Sequence, residues 1–157
     1  HARVTGVGAL VLARKPETSL RRRGTVNLWV QHSPTGWDVH DAFKTGNLNV
    51  GILTAYRLQQ QWNGTIHLKT VVPSGEDVPY ATIFLDRLAR MGRLPTHTKT
   101  TALVGDFRSS LAGSPADMHI LGLQYSDLDL VRARALQQAA DAHCLFVLDS
   151  GRESALA

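Results

Sequence analysis

From Thr25 onward the chain switches repeatedly between two hydrophobic patterns, one of strand type and one of helix type. The run Thr25-Val26-Asn27-Leu28-Trp29-Val30-Gln31 mixes β-branched and aromatic residues with alternation, which predicts a strand. A polar loop from His32 to Thr45 follows. Leu48, Ile52, Leu53, Tyr56 and the stem of Arg57 then recur at helical spacing, with Asn47 as the natural N-cap and a stop near Trp62-Asn63-Gly64. Thr65 to Val72 predicts the next strand, closed by the turn Pro73-Ser74-Gly75. Strand, loop, helix and strand in that order form a βαβ unit, the building block of a parallel sheet. The loop after its first strand is where such folds usually bind something.

The alternation continues downstream. Glu76 or Asp77 opens a helix through Tyr80, Ile83, Phe84, Arg87, Leu88 and Met91, which Gly92 and Pro95 close. Thr98 to Val104 and Ala116 to Leu123 read as strands, with a short helix over Asp106 to Leu111 between them. A last helix begins near Ser126 or Asp127 and reaches Ala142, ahead of a strand from Cys144 to Leu148. Upstream, the apolar run Val7 to Ala13 has strand length and is either a strand of this sheet or the last strand of something before it. The expected fold is α/β: an open parallel sheet of about five strands, joined by right-handed crossovers, with helices on both faces. Residues 1–24 read as an upstream strand with a basic connection, and residues 25–157 as a single domain.

Composition narrows this picture. A chain of 157 residues that is 43% hydrophobic and 19% charged can bury a core without disulfide or metal staples. Its single cysteine, Cys144, lies in an apolar run and reads as a small buried hydrophobe, which favours a reducing, cytosolic setting. No apolar run approaches the ~20 residues of a bilayer-spanning helix, so the piece is expected to be soluble by itself. The sequon Asn63-Gly64-Thr65 doubles as a helix-to-strand turn.

Net charge is +4, from basic residues that are dispersed except at Arg21-Arg22-Arg23, with Arg14 and Lys15 nearby. That cluster is either a solvated connection or a contact for anionic lipid headgroups, at ~1 kcal/mol per basic residue near a membrane surface. No aromatic residues interleave it, so a nucleic-acid partner is not expected. Arg87, Arg90 and Arg93 gather at the end of a helix, where cations complement its dipole.

The chemistry-bearing motifs are sparse. Neither glycine-rich phosphate pattern occurs between a strand and a helix, and Gly113-Ser114-Pro115 puts proline where a nucleophile elbow must run into its helix. In the opening loop, Asp38, His40 and Asp41 lie within four residues of each other, with His32 and Trp37 nearby. Histidine and carboxylates suit a divalent ion, yet a polar loop also needs such side chains to satisfy its own backbone. Trp37 reads as a lid packed on the sheet edge, with a ligand-stacking surface as the alternative. His67 and His119 read as hydrogen-bonded sheet histidines. The expectation is therefore no catalytic residue, metal or cofactor, with Trp37, Asp38, His40 and Asp41 as a candidate contact loop.

A family resemblance rests on particular residues. The block Gly24 to Val30, the helix start Gly46-Asn47-Leu48 with its run to Leu58, Trp62, and Ile66 to Val72 together resemble the cytoplasmic C-terminal domain of cation-chloride cotransporters. In that family a Gly-x-Ile-Asp-x-Trp-Trp strand precedes a Gly-Gly-Leu helix, a tryptophan and an Ile-Arg-x-Phe strand. Gly6 to Leu12 also resembles the preceding strand, and Asp117 to Gln124 and Cys144 to Gly151 sit where the family has its last strands.

The resemblance implies an architecture related to universal stress proteins, attached to a membrane transporter that couples chloride to sodium or potassium. It further implies a non-catalytic regulatory domain on the cytoplasmic face of the membrane, a homodimer whose other partner is the membrane domain of the same transporter. Departures are Asn47 in place of the second glycine, a longer loop from His32 to Thr45, and no room between Val104 and Ala116 for the phosphorylated insertion of animal members. A free-standing ligand-binding protein of the stress-protein type and the tail of a related amino-acid permease remain as alternatives. ATP-binding stress proteins resemble one another in carrying Gly-x-x-Gly after the fourth strand, whereas Gly122 is followed here by Leu123-Gln124-Tyr125-Ser126.

Overall fold

A computed structural model describes residues 8–19, 24–31, 36–44, 47–123, 130–152 and 154–156. Arg21, Arg22 and Arg23, and the expected start of the last helix, lie outside these described residues.

Six strands form one sheet: β1 (Ala9–Ala13), β2 (Thr25–Trp29), β3 (Thr65–Val72), β4 (Lys99–Val104), β5 (Met118–Gly122) and β6 (His143–Leu148), in the order β1-β6-β5-β2-β3-β4. The five strands β2 to β6 run parallel, as the alternation with helices requires. The sixth, β1, is the run left open by the sequence, and it pairs antiparallel with β6 from Ala9 opposite Leu148 to Ala13 opposite Cys144.

Alternation along each strand feeds two separate cores. Val26, Leu28, Ile66, Leu68, Met118 and Ile120 point to one face, covered by α1 (Val39–Lys44), α2 (Leu48–Trp62) and α3 (Val78–Met91). Trp29, Leu121, Cys144 and Phe146 point to the other, covered by α4 (Phe107–Ala112) and α5 (Leu130–Ala140). The result is the expected three-layer α/β architecture, with one strand more than the expected five.

Three features differ from the sequence reading. The first is α1, inside the stretch expected to be loop. Val39, Ala42 and Phe43 are buried at helical spacing, so a six-residue helix hides within polar letters. The second is the buried stripe of α2, which consists of Leu48, Ile52, Ala55 and Gln59, while Leu53 and Tyr56 are 43% and 41% exposed. On α3, likewise, Ala81, Phe84, Leu85 and Leu88 are buried, while Tyr80 and Ile83 face solvent. The third is Asn47, whose side chain makes no capping hydrogen bond to α2. Asp106, in contrast, does cap a helix: its carboxylate accepts from the Ser109 amide at 2.9 Å at the start of α4.

Candidate functional site

In a doubly wound sheet, ligands enter at the carboxyl ends of the strands, where the chain reverses its direction of progress across the sheet. Here that point lies between β2 and β5, because the chain proceeds from β2 to β3 and β4 on one side and then returns to β5 and β6 on the other. A cleft of about 500 Å³ opens there, walled by Trp29, Val71, Phe107, Leu121, Arg132 and Leu136 among others. Its lining is largely apolar and aromatic, with Gln31, Asn47, Thr70 and Arg132 as polar members.

Asn47 shapes this end of the sheet. Its Nδ2 donates to the Leu123 carbonyl, and its Oδ1 accepts from the Asp149 amide at 2.7 Å. One side chain therefore staples the ends of β5 and β6 to the start of α2. Gly122 makes room for it: a Cβ there would come within 3.1 Å of Asn47 Nδ2. The glycine after β5 thus accommodates an asparagine side chain, whereas a phosphate cradle would need that backbone open to the ligand. Calorimetric titration of the domain with MgATP is accordingly expected to show no binding at micromolar concentration. A dissociation constant of micromolar order would contradict this use of Gly122.

The opening loop becomes the approach to α1. Asp38 Oδ1 accepts from the backbone amides of His40 at 2.7 Å and Asp41 at 3.2 Å, and these two bonds hold its carboxyl below the usual carboxylate range. Its oxygen serves the helix start, while His40 points to solvent and Asp41 is half-buried. Among the described residues no group of three or more histidine, cysteine, aspartate or glutamate side chains could hold a metal ion. Trp37 packs on Phe84 of α3, with ring centroids 5.6 Å apart at 60°. That places it over a helix rather than over the sheet edge where the sequence reading put it. Trp37, Asp38, His40 and Asp41 thus share one turn, at the junction of α1 and α3.

The two sheet histidines are hydrogen-bonded. His67 Nε2 lies 2.7 Å from Thr101 Oγ1, and His119 Nδ1 accepts from Trp29 Nε1 at 2.9 Å. Burial, aided by the nearby charge of Lys69, lowers both to about 4. The unfolded chain takes up these protons near the ordinary value of about 6.5 and the folded chain resists until about 4, so protonation favours unfolding across that window. Stability is expected to be full above about pH 6.5 and to fall steadily as pH is lowered towards 4. Urea titrations at half-unit pH steps check this; a flat profile between pH 6.5 and 4.5 would contradict it. Cys144 is enclosed, and burial pushes its thiol up to about 12, which disfavours the thiolate.

One polar group escaped the sequence reading. Asn27 and Lys69 point into the face that carries α4, and both converge on Ser114: Asn27 Nδ2 donates to its carbonyl and Lys69 Nζ to its hydroxyl, each at 3.2 Å. The available signal is the polar set Asn27, His67, Lys69 and His119 on one face of three adjacent strands, legible only once the strands are in register.

The fold is a doubly wound α/β sheet, and its site is a cleft at the switch point between β2 and β5. Comparisons with known proteins specify the family. Residues 21–156 match the family model described as prokaryotic cation-chloride cotransporter, C-terminal domain, 2nd. The crystal structure of the cytoplasmic domain of a prokaryotic cation chloride cotransporter superposes with a TM-score of 0.85 at 31% identity, over 98% of this chain and 57% of that one. No curated protein matches the chain. The chain belongs to the family of prokaryotic cation-chloride cotransporter C-terminal domains, and it spans a little over half of the solved cytoplasmic domain it resembles.

Proposed function

We propose that this chain is a non-catalytic regulatory and assembly domain on the cytoplasmic face of a cation-chloride cotransporter, acting by packing against a second copy and against the membrane part of the same transporter. Family membership supports the setting. The observation that carries the assembly role is the outer edge of the sheet.

Strand β1 reads Ala-Leu-Val-Leu-Ala, with no charged residue or proline to block pairing along its free side. Leu10 and Leu12 are 57% and 44% exposed. They lie opposite Val147 and Leu145, on the face of α1 to α3, and among the described residues no helix covers them. The opposite edge, β4, opens with the charge of Lys99 and the polar pair Thr100 and Thr101 before Ala102, Leu103 and Val104, so it carries a charged guard that β1 lacks. An unguarded apolar edge in a folded domain calls for a partner, and a second β1 related by a two-fold axis meets it with the same surface. Trp37, Asp38, His40 and Asp41 are offered as contacts to the membrane part, and Arg21, Arg22 and Arg23 as contacts to anionic lipid.

Sedimentation velocity tests the assembly role. The wild-type domain is expected to sediment as a dimer at micromolar concentration and Leu10→Glu/Leu12→Glu as a folded monomer. A wild-type monomer at a hundredfold higher concentration would overturn it.

A further inference from the structure

We propose that Lys69, His119, Asn27 and Ser114 form a binding site for a small monovalent anion of halide size, beneath the turn that follows α4. The proposal is independent of dimerisation, since all four residues lie inside one domain.

Register brings them together. Asn27 on β2 is directly opposite His119 on β5 on one side and His67 on β3 on the other, and Trp29 is opposite Lys69. All these side chains point to the face that carries α4, because their strand neighbours Val26, Leu28, Ile66, Leu68, Met118 and Ile120 feed the opposite core. Ser114, just past α4, closes over them and binds both Asn27 and Lys69. Asn27 and His119 are 0% exposed, Ser114 3% and Lys69 9%.

The hydrogen-bonding inventory is incomplete in a particular way. Indole nitrogen is only a donor, so the bond from Trp29 fixes His119 with Nδ1 as acceptor and the proton on Nε2. That Nε2–H has no partner, and neither does Asn27 Oδ1. Lys69 uses one of its three protons on Ser114. Among the described residues no carboxylate forms an ion pair with Lys69. A buried ammonium without a counter-charge and a buried orphan N–H on the same face are both costly, and both are relieved by one acceptor that carries negative charge.

A halide accepts from Lys69 Nζ and from His119 Nε2–H together, while an accompanying water donates to Asn27 Oδ1. Burial argues against organic carboxylates and phosphates, which bring several heavy atoms and more than one acceptor to satisfy. Lys69, the least enclosed of the four, marks the way in.

Crystals of the domain grown in sodium bromide, measured at the bromine absorption edge, test the site. The expected result is an anomalous peak in contact with Lys69 Nζ and His119 Nε2; refinement of water alone, or no peak, overturns the proposal. In solution at constant ionic strength, replacing gluconate by chloride up to half-molar concentration is expected to raise the wild-type thermal midpoint by about 3 °C or more. Lys69→Met, which keeps the stem and removes the charge, should abolish the rise. An equal rise in both proteins also overturns the proposal. Should Lys69→Met fail to fold, the bromide map of the wild type decides alone.

Discussion

Gly64→Ala is expected to destabilise the domain by about 3 kcal/mol or more, the upper end of overpacking costs and a large part of the ~5–15 kcal/mol that holds a typical domain folded. Gly64 joins α2 to β3, directly after Asn63, which takes the left-handed conformation at φ 50° to end the helix. A Cβ on Gly64 would lie 2.2 Å from the backbone oxygen of Gly24. That oxygen is not free to retreat, because it accepts from the Thr65 amide at 3.1 Å on the first rung between β2 and β3. Relief of the clash therefore separates the two central strands at their start. Urea unfolding monitored by circular dichroism measures the loss. Gly75→Ala serves as the control, since a Cβ there meets nothing within 4 Å and should leave the midpoint nearly unchanged. Equal midpoints for Gly64→Ala and wild type would contradict the tight approach of these strands.

Phe84→Ala is expected to cost about 3–5 kcal/mol, the range for removing a fully buried aromatic side chain from a packed core. Phe84 is 1% exposed and lies between the sheet and Trp37. Its loss has a second, local consequence, because Trp37 loses its contact with the Phe84 ring. Trp37 emission should shift to the red under conditions where the variant is still folded, with a matching Trp37→Phe variant used to subtract Trp29 and Trp62. A variant of unchanged stability whose emission also stays in place would show that the turn carrying Asp38 and His40 is not anchored through α3.

Strands were the most legible part of the chain, and the reason is physical. In β3, Ile66 and Leu68 alternate with Thr65, His67 and Lys69 ahead of the β-branched run Thr70-Val71-Val72, and a period of two can be counted even in a short segment. Helix faces were less legible. Leu53, Tyr56, Tyr80 and Ile83 fit the spacing of an apolar stripe, yet small residues at Ala55 and Ala81 take the buried places where α2 and α3 sit close on the sheet. Periodicity cannot tell a large exposed residue from a large buried one when both lie within a turn of the true stripe.

The least legible parts depend on distant partners. Asn47 is read locally as a helix cap, but its side chain serves Leu123 and Asp149, 76 and 102 residues away. The group around Lys69 likewise exists only because the register of β2, β3 and β5 aligns Asn27 with both His67 and His119. Helix α1 was hidden for a third reason: six residues are less than two turns, too few for a period to be counted. Asp38 nonetheless announced it, since aspartate ahead of Val39 is a common helix start.

Ion flux through the full-length transporter tests the central claim most directly. Proteoliposomes holding equal amounts of the wild type and of the Leu10→Glu/Leu12→Glu variant would be compared for chloride uptake and, by cross-linking, for dimer content. An assembly domain working through its β1 edge predicts that the variant loses the cross-linked dimer and that its uptake falls several-fold, with the membrane part still inserted. Undiminished cross-linking together with wild-type uptake would contradict it.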